Sequence, residues 1–220
     1  MRNQPAARVV ALVAILAVVL TGCFTGERGR LTPSTTTLST QTAVSDPAIS
    51  AVLAKLDTAT ENAYTATYSI LLRFGAVTTA STVAQTNAQT RSITIGTVRY
   101  LDQAGVQQTC NLTTAVCTDG FDDSQISNAV PSHDFYRTAA AARLRQDAAT
   151  MTSAGIASTR EIAGRSATCV QVTFAQGTKS YCVLDSGLLA YQDTPDVQID
   201  LSAIADVADA ALFTPTTVAG

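Results

Sequence analysis

The stretch Tyr64-Thr-Ala-Thr-Tyr-Ser-Ile-Leu-Leu-Arg-Phe74 carries the reading of the fold. Tyr64, Ala66, Tyr68, Ile70, Leu72 and Phe74 alternate with Thr65, Thr67, Ser69 and Arg73, and Leu71 is the one exception. A period of two sends every second side chain to one face, so the stretch predicts a strand with one apolar side. Just before it the period is helical. Asp46-Pro47 combines a capping carboxylate with proline at a first helical position. Ile49, Val52, Leu53, Leu56 and Ala63 then recur as one stripe. The chain thus passes from an amphipathic helix straight into a half-buried strand.

Downstream, Thr- and Val-rich runs at about 76–86, 90–101 and 105–118 are broken by Gly75, Gly96 and Ala104-Gly105, which predicts successive antiparallel strands. A second helix is expected from Ser132 to about Thr152, with Tyr136, Ala140, Leu144, Ala148 and Met151 on one face. Strands are then expected near 156–163, 166–174, 178–184, 187–192 and 196–201, and a short helical turn within 203–213. Helix, strands, helix, strands is the order of an α+β domain on a large antiparallel sheet, spanning residues 47–220.

Four cysteines fall inside this domain, Cys110, Cys117, Cys169 and Cys182. They allow three pairings, of which Cys110–Cys117 and Cys169–Cys182 are expected. The second has a register behind it. A hairpin turning at Ala175-Gln176-Gly177-Thr178 that sets Cys169 opposite Cys182 also sets Val170 opposite Tyr181 and Thr168 opposite Val183. Val170, Val172, Phe174, Tyr181 and Val183 then share one face, and both cysteines lie on the other. Intervals of six and twelve residues suit zinc poorly, so no metal is expected.

The fifth cysteine belongs to a different device. Arg2 and Arg8 begin the chain without an acid, and Val9 to Leu20 is an unbroken apolar run of 12 residues. A bilayer span needs about 20 residues, whereas the core of a secretory signal needs roughly 7–15. The run leads into Leu20-Thr21-Gly22-Cys23, the pattern of a bacterial lipobox. Residues 1–22 therefore read as a cleaved lipoprotein signal peptide and Cys23 as the acylated first residue. Residues 23–46, rich in Thr and Ser, read as a flexible tether. The expected location is the extracytoplasmic face of the cell membrane, lipid-anchored, where disulfides are stable.

Without Arg2 and Arg8 the 14 basic residues become 12, against 17 acidic ones, a net charge near −5. That sign disfavours nucleic acid, and none is expected as a partner. His133 is the single histidine. With Ser132 it opens the expected second helix: Ser132 as its cap, Asp134 near the positive end of the dipole, His133 at the surface. Triads are assembled from separated loops, so these neighbours do not suggest one, and no G-x-S-x-G elbow is present. Asp119, Asp122 and Asp123 lack the alternation of a calcium loop and read as a solvated turn. No cofactor is expected, and no enzymatic activity.

The amphipathic helix running into Tyr64-Thr-Ala-Thr-Tyr68, the mid-chain helix, the hairpin Tyr181-Cys-Val-Leu-Asp-Ser-Gly-Leu-Leu and the closing Leu212-Phe-Thr-Pro215 together resemble the lipoprotein-carrier superfamily. These are the LolA-like periplasmic carriers and related lipid-binding lipoproteins. The likeness covers roughly 47–215 and is one of architecture; the disulfide hairpin does not map onto the carriers. It implies a curved antiparallel half-barrel closed on its concave side by two main helices, with an apolar cavity for acyl chains. Tyr64, Tyr68, Ile70, Leu72, Phe74, Ile93, Ile95, Val170, Val172, Phe174, Tyr181, Val183 and Leu189 would line that cavity. The expected function is therefore binding or carrying a lipid at the envelope. A packed domain without a cavity, serving as scaffold or accessory subunit of an envelope protein complex, is the alternative.

Overall fold

The computed structural model describes residues 44–58, 62–126 and 131–214. Helix α1 (Pro47–Leu56) begins as its sequence dictates. The Asp46 carboxylate accepts the N–H groups of Ala48 (2.9 Å) and Ile49 (3.0 Å), and Pro47 occupies a position where no N–H is needed. The same carboxylate accepts the N–H of Gly155 at 2.8 Å, tying the helix to the far half of the chain. These bonds, Gly155's foremost, hold Asp46 below its ordinary pKa. A carboxylate lowered in the fold contributes stability in full above about pH 4, and loses it as pH falls through the lowered value. Gly155 is required for closeness: a Cβ there would stand 3.0 Å from both Asp46 Oδ1 and a Val170 methyl. The helix buries Ile49, Val52, Leu53 and Leu56, then stops, so Ala63 lies beyond it.

Eleven strands form one antiparallel sheet. β1 (Tyr64–Leu72) and β2 (Val77–Asn87) are followed by β3 (Thr90–Ile95), β4 (Val98–Gln103), β5 (Val106–Asn111) and β6 (Val116–Asp119). The chain meanders from the middle of the sheet to one edge. It then crosses through helix α2 (Thr138–Ala148) to the other edge and returns as β7 (Ile156–Ile162), β8 (Arg165–Phe174), β9 (Gly177–Leu184), β10 (Leu189–Asp193) and β11 (Val197–Ala205). The order β6-β5-β4-β3-β2-β1-β11-β10-β9-β8-β7 pairs the first strand with the last and leaves β6 and β7 as open edges. This is the α+β half-barrel, not closed into a barrel, that the sequence led us to expect.

β1 alternates strictly between buried and half-buried positions from Tyr64 to Leu72, and Leu71 falls with the outward residues. Its inward row continues across the seam: Ile70 faces Ile199 and Leu72 faces Val197. In the β8–β9 hairpin Cys169 lies opposite Cys182, Val170 opposite Tyr181 and Thr168 opposite Val183. Cys169–Cys182 and Cys110–Cys117 are both disulfide-bonded, each with Cα atoms 4.0 Å apart across a strand pair. Both lie on the face away from the helices. There a short 3-10 turn, Ala210–Phe213, straps the sheet. Ser92, Gln103 and Arg99 donate to the carbonyls of Leu212 (2.7 Å), Phe213 (2.9 Å) and Thr214 (3.2 Å).

Two expectations need correction. The second helix is shorter than the span 132–152. Phe135 and Tyr136 are both buried, and the Tyr136 carbonyl takes the N–H of Leu189 at 2.9 Å, an acceptor a continuous helix would have kept for itself. At the other end the Thr152 N–H goes to Thr173 of β8 instead of back along a helix. The run 105–118 is two strands, because 112–115 turn between Cys110 and Cys117.

Candidate functional site

The inner face of the sheet carries the apolar side chains and both helices. Tyr64, Tyr68, Ile70, Leu72, Ile93, Ile95, Val170, Val172, Tyr181, Val183 and Leu189 come together in a single buried core, and Phe174 packs at its margin. Phe74 does not join them. β1 ends at Leu72, Arg73–Ala76 turn toward β2, and Phe74 projects into solvent, 93% exposed. The candidates are therefore neighbours in one buried core shared with residues of α1 and α2.

An open recess lies beside this core, between α2 and the β10–β11 pair. Its volume is about 340 Å³, at the small end of ligand sites. Phe135, Ala140, Val197 and Ile199 form its apolar floor; Ala139, Ala142, Arg143 and Gln146 come from the helix, and Gln192, Asp196, Pro131 and Ser132 complete the rim. The reason for the space is in the helix. Thr-Ala-Ala-Ala-Ala-Arg-Leu offers the strands methyl groups where longer side chains would have filled the gap. The far end of α2 is pinned instead. Asp147, buried, accepts Nζ of Lys179 at 2.6 Å and the hydroxyl of Tyr181 at 2.5 Å. The end of α1 packs closely on Gly187, whose φ of +83° admits no side chain readily. A Cβ there would stand 2.7 Å from the carbonyls of Lys55 and Thr58 at the end of α1.

None of the cavity candidates named from sequence lines this recess. Val197, Ile199 and Ala140 were legible as elements of a strand and a helix, but their meeting is a tertiary fact that no local period encodes.

Polar groups also penetrate the inner face. Tyr64, Gln85, Arg91 and Asp102 form one cross-strand row, each opposite the next. Burial pushes the Tyr64, Tyr68 and Tyr136 hydroxyls well above the ordinary tyrosine pKa, with Arg91 and Arg137 partly opposing the rise at Tyr64 and Tyr136. Burial works against the charge of Arg91, but Tyr136 and Asp102 outweigh it and its pKa is raised.

Ser132 and His133 are placed differently from their expected roles. The helix starts six residues after Ser132, whose hydroxyl donates to Asp134 at 2.6 Å and caps nothing. His133 is half-buried. Its Nδ1 lies 3.0 Å from Asp123, which also accepts its backbone N–H, and its ring packs on Phe121 and Tyr100. These contacts bind a turn to β4 and assemble no nucleophile relay. Asp122 bonds the N–H and hydroxyl of Ser124, which lowers its pKa. No group of three or more His, Cys, Asp and Glu among the described residues could hold a metal.

Cys23 and the expected signal peptide, residues 1–22, lie outside the described residues. Among those described, no helix is long and apolar enough to cross a membrane. Among solved structures the chain is similar to MucB, at 13% identity and a TM-score of 0.49 over 78% of this chain and 63% of that one. It is also similar to a chain of the Pseudomonas aeruginosa MucA/MucB complex, at 15% identity and TM-score 0.44 over the same shares. A LolA superfamily protein from Nitrosomonas europaea matches at 12% and 0.35, over 74% of this chain and 96% of that one. The chain thus spans less than two thirds of the MucB structures. No protein-family model and no curated protein matches it.

Proposed function

We propose that this chain is a lipid-anchored protein of the bacterial envelope that holds an apolar ligand, an acyl chain, in the recess beneath α2. The observation carrying this reading is the open recess itself: an apolar floor of Phe135, Ala140, Val197 and Ile199 beside a helix of small side chains. Arg143 at the rim would face an anionic end of such a ligand. The half-barrel supplies the floor, and α2 supplies the wall.

Native mass spectrometry of the full chain in a neutral detergent, followed by organic extraction, is the direct test. A lipid-mass adduct lost on extraction is the expected result. Ala139→Trp, at the half-buried helix wall, should fill the recess and cut uptake of a fluorescent fatty acid at least about tenfold. Its cost in stability should stay within about 1 kcal/mol, because tryptophan is only a slightly poorer helix former than alanine. A bare mass together with no uptake by the unmodified chain would favour the cavity-free scaffold instead.

The anchor rests on the lipobox at Cys23, and its expected place is the outer face of the cell membrane. Cys23→Ser should abolish palmitate labelling and release the protein from the membrane fraction. Undiminished labelling would refute the assignment.

A further inference from the structure

Several hydrogen-bond donors stand unpartnered where the polar row enters the inner face. Tyr68 stands on the same face of β1 as Tyr64, separated from it only by the small Ala66. Tyr136 reaches the cluster from the segment before α2 and lies near Tyr64, Tyr68 and Arg91. Asp102 takes one N–H of Arg91 at 3.0 Å. The hydroxyls of Tyr64 and Tyr68 and the Nε groups of Arg91 and Arg137 are buried with no hydrogen-bond partner. Tyr64 is only 3% exposed and Tyr68 1%. Asp134, the other acid near Tyr136, accepts the Ser132 hydroxyl on one of its oxygens. Arg91 also bonds the side chain of Tyr136, yet the Nε groups of both arginines still lack an acceptor.

A buried donor without an acceptor costs the fold free energy. A group with several acceptors would satisfy these donors together, and a negative charge on it would suit the two guanidinium groups beside them. We propose that Tyr64, Tyr68, Arg91 and Arg137 form a binding site for an oxyanion, a carboxylate or phosphate, free or as the headgroup of a lipid. Oxyanions accept several bonds at once, and arginine presents its N–H groups in a fork that matches them. This site is separate from the recess. Phe135 stands between, lining the recess on one side and meeting the Tyr68 ring edge-on at a 5.1 Å centroid distance on the other. It therefore does not depend on the acyl-chain reading.

The test compares three probes on the full chain in neutral detergent at constant ionic strength: inorganic phosphate, dodecanoate, and uncharged methyl dodecanoate. If the ligand is a lipid headgroup, dodecanoate should bind at least about tenfold tighter than its ester, the worth of hydrogen bonds to a charged group. If it is a free oxyanion, phosphate should raise Tm where equal chloride does not. In either case Tyr68→Phe should weaken binding about tenfold and leave the ligand-free protein as stable or more so, because the ring stays and an unpaired hydroxyl goes. No response to phosphate together with equal affinity for acid and ester overturns the site, while equal binding of both leaves the acyl recess standing. Unchanged anion binding by Tyr68→Phe also overturns it.

Discussion

Asp147→Ala is expected to lower the free energy of unfolding by about 3 kcal/mol, because two buried donors lose one shared acceptor. The carboxylate is buried at the end of α2 and takes Lys179 at 2.6 Å and Tyr181 at 2.5 Å. Without it the Tyr181 hydroxyl, fully buried, keeps no partner, and the Lys179 ammonium, a quarter exposed, turns partly to water. Breaking a fully buried pair costs about 3–5 kcal/mol, and the solvent reaching Lys179 places this one at the lower end. The substitution also frees the end of the helix that walls the recess, so ligand affinity should fall with stability. Urea unfolding with an unchanged slope would measure the effect. A loss under about 1 kcal/mol would show that α2 is held by its alanines and Leu144 instead.

Raising the pH past about 10 is expected to unfold the protein abruptly. Burial raises Tyr64, Tyr68, Tyr136 and Tyr181 above the ordinary tyrosine value, so the fold keeps four protons that the unfolded chain releases. The sign follows. A pKa raised in the fold contributes fully below the unfolded value of about 10, and that contribution is lost as pH climbs toward the folded value. Each tyrosine contributes a slope of about 1.4 kcal/mol per pH unit, and four together about 5. Against a total stability of about 5–15 kcal/mol, the collapse should fall within one to three pH units. Tyrosinate absorbance and far-ultraviolet circular dichroism should change together. Gradual ionisation of all the tyrosines, with the sheet signal intact, would mean that these hydroxyls reach solvent in the folded state.

The fold was legible wherever a residue's role is set by its near neighbours. The alternation from Tyr64 to Leu72 specified β1 and its buried side, and Asp46-Pro47 specified the start of α1. The hairpin register that set Cys169 against Cys182 placed Val170 and Tyr181 together inside. What failed was decided at a distance. Phe74 obeys the period of its strand, but the strand has already ended. Ser132 has the chemistry of a cap, yet Phe135 and Tyr136 are drawn into the core and delay the helix to Thr138. The recess escaped because alanines on a helix signal good helix formation as readily as missing volume. The row of Tyr64, Gln85, Arg91 and Asp102 escaped because its members lie on four different strands.

The pairing of β1 with β11 also sets the tempo at which the molecule can form. β2 to β6 and β7 to β11 are each a series of adjacent hairpins that can close over short loops. The seam is another matter: Leu72 must wait for Val197, and Tyr68 for Leu201. Closing so long a loop is slow compared with hairpin formation. The inner face therefore stays incomplete, and the chain threadable, until nearly all of it has emerged. For the exported chain proposed above, this delay would keep it extended during passage and reserve the final collapse for the far side.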